Sequence, residues 1–278
     1  MRINKILNIN SIVIKEDGVE KIVMGSGIAF QKSKNDLVDQ SKIEKIFILK
    51  EENKKFQELL QSVPESHITL AEDIISYAEE KLEIKLNDHI HIALTDHLSF
   101  ALEREKKGIP IRNRLVNEIK NLYHQEYEIA IWGIEHVKNE LGISLPIDEA
   151  AFIALHIHTA KMNLTNIGSS IKKTMIIQDM IDIISSHLSI DIDRESMDYQ
   201  RLLTHLHFAL ARLEDNKPFH DMDKDMLDVI KTKYSESFEC ALSVESFLNA
   251  EHSMSFPESE IGYITLHLQR IYDKNYQH

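Results

Sequence analysis

The chain contains one histidine-bearing segment twice. LTDHLSFALER, Leu94 to Arg104, returns as LLTHLHFALAR, Leu202 to Arg212, with seven of eleven positions identical. A second pair, LPIDEAAFIALHI (Leu145 to Ile157) and FPESEIGYITLHL (Phe256 to Leu268), shares Pro, Glu, Ile, Leu and His, five of thirteen positions. The offsets, 108 and 111 residues, are close enough to imply one tandem duplication. Apolar residues recur at three- and four-residue intervals in Ile68 to Leu82, Ile90 to Leu102, Ile111 to Val137 and Asp148 to Ala160. That is the period of an amphipathic helix. KEENKKFQELLQSV reads as a charged lead-in to a helix that ends at Pro64. The polar break NLTNIGSS, Asn163 to Ser170, is a candidate linker, and helical texture resumes near Lys173.

The first fifty residues have another texture. INKILNIN, SIVIKED, KIVMGSG, IAFQK and KIEKIFIL are short runs with period-two alternation and many β-branched residues. Asp17-Gly18 is a hairpin signal, and Gly25 and Gly27 bracket a bend between two strands. The expected fold is multidomain: a small antiparallel all-β N-terminal domain of four or five strands, then two tandem all-α helical-bundle domains. The expected boundaries are 1–55, 56–168 and 169–278. Some fifty residues bury too little surface to be comfortable alone, so the β part is expected to dimerise.

Charge divides the chain in the same place. Residues 1–50 carry nine Lys/Arg against six Asp/Glu, whereas the remaining 228 carry 23 against 39. An acidic body repels a polyanion, so any nucleic-acid contact belongs to the first fifty residues. The single cysteine, Cys240, rules out an intramolecular disulfide framework and fits a reducing compartment. No apolar run reaches the roughly 18 residues of a membrane span, and MRINKILNIN lacks the block of a signal peptide. A cytoplasmic protein without membrane insertion is expected.

Each copy of the repeat keeps two histidines, His97 and His156, then His205 and His267. Phe100 and Ala101 follow His97, and Phe208 and Ala209 follow His205, at i+3 and i+4; Phe152 and Ile153 precede His156, and Tyr263 and Ile264 precede His267. All four rings therefore sit on or beside an apolar stripe. A hydrogen-bonded core histidine is the bland reading, but a core needs Leu or Phe and has little use for imidazole. A metal site is disfavoured: His89/His91, His156/His158 and His205/His207 are H-x-H pairs, which diverge by about 200° on a helix, and no HExxH occurs. No nucleophile elbow, P-loop or dinucleotide fingerprint is present, so no cofactor is expected. What remains is covalent chemistry. Neutral imidazole is a competent nucleophile toward a phosphoryl donor, and the anionic product near an apolar contact demands Arg or Lys. Arg104, Arg201 and Arg212 lie near in sequence.

Taken together, INKILNIN, VMGSGIAFQK and KIEKIF, then LNDHIHIALTDHLSFAL, LPIDEAAFIALHI, LLTHLHFAL and GYITLHL resemble the BglG/SacY-type transcriptional antiterminators. The resemblance runs from Met1 to about Tyr272. It implies a dimeric co-antiterminator RNA-binding domain followed by two phosphotransferase-system regulation domains. It implies a non-enzymatic protein that binds a hairpin in nascent mRNA and prevents an overlapping terminator from forming, ahead of sugar-utilisation genes. The implied RNA contacts map onto Lys5, Asn8, Asn10, Gly25, Ser26 and Phe30, although from its own surroundings Phe30 reads as core. The implied phosphoacceptors are His97, His156, His205 and His267, with the HPr phosphocarrier and a sugar-specific transporter subunit as donors. One position departs: the family usually has Lys or Arg between the two glycines where this chain has Ser26, which should weaken RNA affinity and flatten its salt dependence. Lys21, Lys32 or Lys34 are candidates to compensate. A phosphorylation-regulated DNA-binding activator, the alternative, would need a helix-turn-helix among residues that show strand alternation.

Overall fold

A computed structural model describes residues 1–16, 18–47, 53–109, 111–163 and 167–276. Four strands, β1 (Ile3–Asn8), β2 (Ser11–Glu16), β3 (Val19–Met24) and β4 (Lys45–Phe47), form one antiparallel sheet in chain order. Helices follow: α1 (Asn53–Ser62), α2 (Glu65–Leu82), α3 (His89–Lys106), α4 (Val116–Leu122), α5 (His124–Leu141) and α6 (Ile147–Lys161), then α7 (Ile167–Leu188), α8 (Met197–Glu214), α9 (Lys224–Lys233), α10 (Ser235–His252) and α11 (Glu258–Tyr276). The expected β-then-α order is the observed one.

The chain forms two compact units. The first comprises Met1–Asn113 and Gln125–Ile167. In it the period-two pattern of the sheet serves both faces. Ile12, Ile14 and Val23 bury against Ile28, Ala29 and Val38. Leu7, Val13 and Ile22 bury against Phe56 and Leu60 of α1 and Ile68 of α2. The sheet too small for its own core thus borrows one from two helices. The second unit, Arg114–His124 and Gly168–His278, has an aliphatic interior. Ile177, Ile181 and Ile184 of α7, Leu202 and Leu206 of α8, Val244 of α10 and Ile264 and Leu268 of α11 fill it.

Three expectations need correction. IAFQK is not a strand. Gly27 and Gln31 adopt positive φ (60° and 55°), and Ile28, Phe30 and Lys32 each donate N–H to the carbonyl three residues back, at 3.0–3.1 Å. Residues 25–31 therefore coil through successive turns. Ile111 to Val137 is not one helix: it breaks at Tyr123 (φ −122°, ψ 48°). Ile119 on one side and Tyr127 and Ala130 on the other keep the apolar period because both are buried, but they belong to different units. In the second unit Glu118, fully buried, takes Arg194 Nη1 at 2.6 Å and the Tyr199 hydroxyl at 2.8 Å. The linker segment is helical from Ile167 onward. Asp17 lies outside the described residues, while Gly18 has the positive φ (80°) of a hairpin turn. The last two residues of KIEKIFIL and the first three of the α1 lead-in also lie outside.

Gly25 is the position with no room. A Cβ there would stand 1.7 Å from the Lys42 carbonyl oxygen, a backbone atom that no side-chain movement can clear. Gly25→Ala should therefore destabilise the chain by at least about 2 kcal/mol, whereas Gly18→Ala, with nothing within 4 Å, meets only the strain of its φ. Denaturant titration of both variants checks this.

Candidate functional site

The duplication preserves a geometry as well as residues. α3 packs on α6, and α8 packs on α11. Across the first interface the rings of His97 and His156 lie 5.0 Å apart at 43°, and across the second those of His205 and His267 lie 4.8 Å apart at 36°. All four histidines are half-buried. Phe100 and Phe208, three residues beyond His97 and His205, turn outward and are 56% and 61% exposed.

Each pair has a buried carboxylate beside it. Glu149 and Glu260, 2% exposed each, precede His156 and His267 by seven residues, two helical turns along the same stripe. Both sit in the first turn of their helix, just after Pro146 or Pro257, where the helix dipole favours an anion. Glu149 Oε2 lies 3.1 Å from His97 Nε2, and Glu260 Oε1 lies 2.7 Å from His205 Nε2. These are ion-pair approaches off the axis of a well-aligned hydrogen bond. Both glutamates were legible as identities in the LPxxE/FPxxE repeat, but their role needed the facing helix to be visible.

Burial alone would raise the Glu149 carboxyl, but His97 and Arg104 outweigh it and hold its pKa below the ordinary value. Burial, with the charges of His97 and His89, pushes His156 down to about 3. Burial, with His205 and Arg270, pushes His267 down to about 4. Both rings are therefore neutral, with a lone pair, at neutral pH.

The copies differ in their arginines. Arg104 Nη2 reaches Glu149 Oε1 at 2.6 Å. Its counterpart Arg212 lies 3.4 Å from His220 Nε2 instead. Arg201 joins Met197, Thr204 and Phe208 around an open cavity of about 420 Å³ beside His205 and His267. The second members of the H-x-H pairs have neighbourhoods of their own. His91 Nδ1 is 2.6 Å from Glu72, His158 Nδ1 is 3.3 Å from Glu126, and His207 stands edge-on to Tyr123. Among the described residues no group of three or more His, Cys, Asp or Glu side chains is placed to hold a metal ion.

The N-terminal candidates gather around the turn array. Asn10 Oδ1 accepts the Gly27 N–H, and the Asn10 carbonyl accepts Gly25 N–H at 3.0 Å. Asn8 Oδ1 accepts Asn10 N–H at 2.9 Å, while Asn8 Nδ2 donates to the Leu60 carbonyl of α1 at 3.1 Å. The exposed Ser26 uses its backbone N–H, at 3.0 Å, on Glu44 and leaves its side chain outward. Phe30 is 55% exposed, so the core reading of that ring is overturned. The turn at Gly27 lifts it out of the alternation that would have buried it. Lys5 is exposed at one side, 3.5 Å from Gln57. Of the basic residues named to compensate for Ser26, Lys21 is engaged with Glu16 at 2.6 Å. Lys42 was missed; its ammonium donates to the Gly27 carbonyl at 3.1 Å, and folding of residues 40–42 back onto the loop is what brings it there.

The depressed imidazoles give a signed pH dependence. Below pH of about 6.5 the unfolded chain takes up protons that folded His156 and His267 refuse, so stability must fall as pH falls. The loss runs from about 6.5 toward about 4 for His267 and about 3 for His156. Ring NMR signals of both should remain those of neutral imidazole at roughly pH 5, and His267→Gln should lose less stability than the unaltered chain between roughly pH 6.5 and 4.5.

Residues 1–56 match the CAT RNA binding domain, and residues 72–160 and 178–271 match the PRD domain. The chain is 40% identical over 274 residues to the transcription antiterminator LicT of Bacillus subtilis (strain 168), covering 98% of this chain and 99% of that one. It is 34% identical to the beta-glucoside operon antiterminator of Dickeya chrysanthemi over 98% of this chain and 96% of that one. A crystal structure of GlcT CAT-PRDI superposes with a TM-score of 0.54 at 36% identity, covering 59% of this chain and 98% of the other. No helix among the described residues is long and apolar enough to cross a membrane. The sheet with its turn array and the twice-built histidine pair thus stand where the CAT and PRD matches fall, and the chain belongs to the family of transcriptional antiterminators that join a CAT RNA-binding domain to two PRD domains.

Proposed function

We propose that this chain is a non-enzymatic, cytoplasmic, homodimeric antiterminator of a sugar-utilisation operon, switched by reversible phosphorylation of His97, His156, His205 and His267. Residues 1–55 bind a hairpin in nascent mRNA and keep an overlapping terminator from forming. Residues 56–168 and 169–278 act as the two regulatory domains, taking phosphoryl groups from the HPr phosphocarrier and a sugar-specific transporter subunit. The observation that carries this is the recurrence of one construction on facing helices: two rings within about 5 Å, a buried glutamate against one, and the other neutral. A chain conserving packing alone has no reason to duplicate buried carboxylates and imidazoles, each costly to desolvate.

The RNA assignment is supported by chemistry at the turn array. An exposed aromatic ring offers a stacking face to an unpaired base, and a glycine without a side chain lets a phosphate approach the backbone closely. The Lys5, Asn8, Asn10, Gly25, Ser26 and Phe30 face is also the basic end of the chain. The basic N-terminal residues form a sheet where the DNA-binding alternative called for a helix-turn-helix.

Incubation with enzyme I, HPr and phosphoenolpyruvate should label the chain, and substitution of all four histidines by Ala should abolish the label; label persisting in that variant would show that the acceptors are elsewhere. On the RNA side, Phe30→Ala should weaken binding of the leader hairpin by about tenfold or more, given stacking worth about 1–3 kcal/mol per base. Ser26→Lys should strengthen it and steepen the plot of log affinity against log salt by roughly one phosphate contact. Filter binding across a salt series reads both, and an unchanged slope for the lysine variant would remove Ser26 from the interface.

A further inference from the structure

We propose that Glu149 and Glu260 are positioning residues for phosphoryl acceptance, each fixing its neighbour, His97 or His205, as the Nε2–H tautomer so that Nδ1 is the nucleophile. The inference rests on the reading of these histidines as phosphoacceptors. The geometry supports it in both copies. A carboxylate oxygen 3.1 Å from His97 Nε2 and another 2.7 Å from His205 Nε2 are tolerable only where that nitrogen carries the proton, because two facing lone pairs repel. Neutral imidazole carries one N–H, so the lone pair falls to Nδ1. Neither carboxylate has solvent to turn toward, at 2% exposure each.

The step balances without an external base. The Nδ1 lone pair forms the new N–P bond while the P–N bond of a phosphohistidyl carrier breaks and its electron pair returns to the carrier's ring. The acceptor ring gains positive charge and keeps its Nε2 proton, which the buried glutamate stabilises where it stands. The phosphoryl oxygens, on the opposite side of the ring, are directed away from the carboxylate. In the first copy Arg104 on the other oxygen of Glu149 limits the negative charge the phosphoryl group meets. The second copy offers Arg201 at the cavity beside His205.

The test uses the full chain with Glu149→Gln, Glu260→Gln and the conservative Glu149→Asp and Glu260→Asp, labelled by enzyme I, HPr, the transporter subunit and phosphoenolpyruvate. Peptide mass spectrometry assigns the label, phosphorus NMR distinguishes Nδ1 from Nε2 phosphohistidine, and nitrogen NMR reads the tautomers before labelling. The expected result is Nε2–H rings at His97 and His205, Nδ1 phosphohistidine at both, and at least tenfold slower labelling at His97 alone in Glu149→Gln and at His205 alone in Glu260→Gln. The aspartate variants should recover part of the rate. An Nε2 isomer, label confined to His156 and His267, or unchanged rates with unchanged tautomers in the glutamine variants would overturn the assignment. No label on any of the four histidines of the unaltered chain would instead overturn the functional reading beneath it.

Discussion

A carboxylate buried against an imidazole between two helices is the contact around which each regulatory unit is arranged. Taking Glu149 or Glu260 out of water costs several kcal/mol unless a cation stands beside it. The partner must come from the facing helix, because the glutamate's own helix offers its apolar stripe. His97 of α3, with Arg104, stands against Glu149, and His205 of α8 stands against Glu260. The second imidazole of each pair then lies within 5.0 Å of a ring that can carry charge and is itself driven neutral. Each buried carboxylate thus stands against one histidine of its pair, while burial first and the neighbouring ring second keep the other histidine neutral.

A second chain of charge ties the sheet to the first helices. Glu72 of α2, 7% exposed, is held by His91 of α3 at 2.6 Å and by Lys45 of β4 at 2.6 Å. Lys45 also reaches Ser76 at 2.9 Å. Burial opposes ionisation of Glu72, but these partners outweigh it and its pKa is lowered. The same stretch of α2 brings Thr69 and Asp73 to a cavity of about 360 Å³ shared with Asn10, Gly25, Ser26 and Glu44. A nucleic-acid phosphate placed there would face the carboxylates of Glu44, Glu72 and Asp73, with Lys45 already held by Glu72. The acidic helical body and the basic sheet are thus opposed at the loop that reads RNA in the proposed function, and charge gives RNA binding a reason to depend on the arrangement of the helices.

The duplication was legible because it rests on identity and period, which need no partner to be seen. So was the pairing of texture with charge at residue fifty. IAFQK was misread because alternation looks the same in a strand and in a chain of turns; only the crowding at Gly25 and the positive φ at Gly27 and Gln31 separate them. The break at Tyr123 was hidden because burial continues on both sides, and a periodic pattern reports burial, not the body doing the burying. The four histidines were found from the repeat, whereas Glu149 and Glu260 were seen only as matched letters. A carboxylate in a first helical turn is common enough to be read as dipole chemistry, and its second partner belongs to a helix some fifty residues away. Lys42 was missed because only the folding of residues 40–42 onto the loop brings its ammonium to the Gly27 carbonyl.

What the two copies do not share is as informative as what they do. Duplication supplied both with His, Glu, His and Arg at matching positions, yet Arg104 closes on Glu149 while Arg212 turns to His220. In the first copy the carboxylate is shared between two cations. An incoming anion there meets a local charge near balance, and its attraction to Arg104 must compete with Glu149. In the second, Glu260 has His205 as its ion-pair partner among the described residues, and Arg201, 3.8 Å from Asp198 Oδ1, lines an open cavity. That cation is screened by solvent but is not committed to the buried glutamate. In the first copy Arg104 can serve a new anion only by leaving Glu149. In the second, Arg201 lies beside His205 and His267 while Glu260 keeps its contact with His205. The copies thus differ in how the repeated arginine relates to its buried glutamate, Arg104 bound to Glu149 and Arg212 turned to His220.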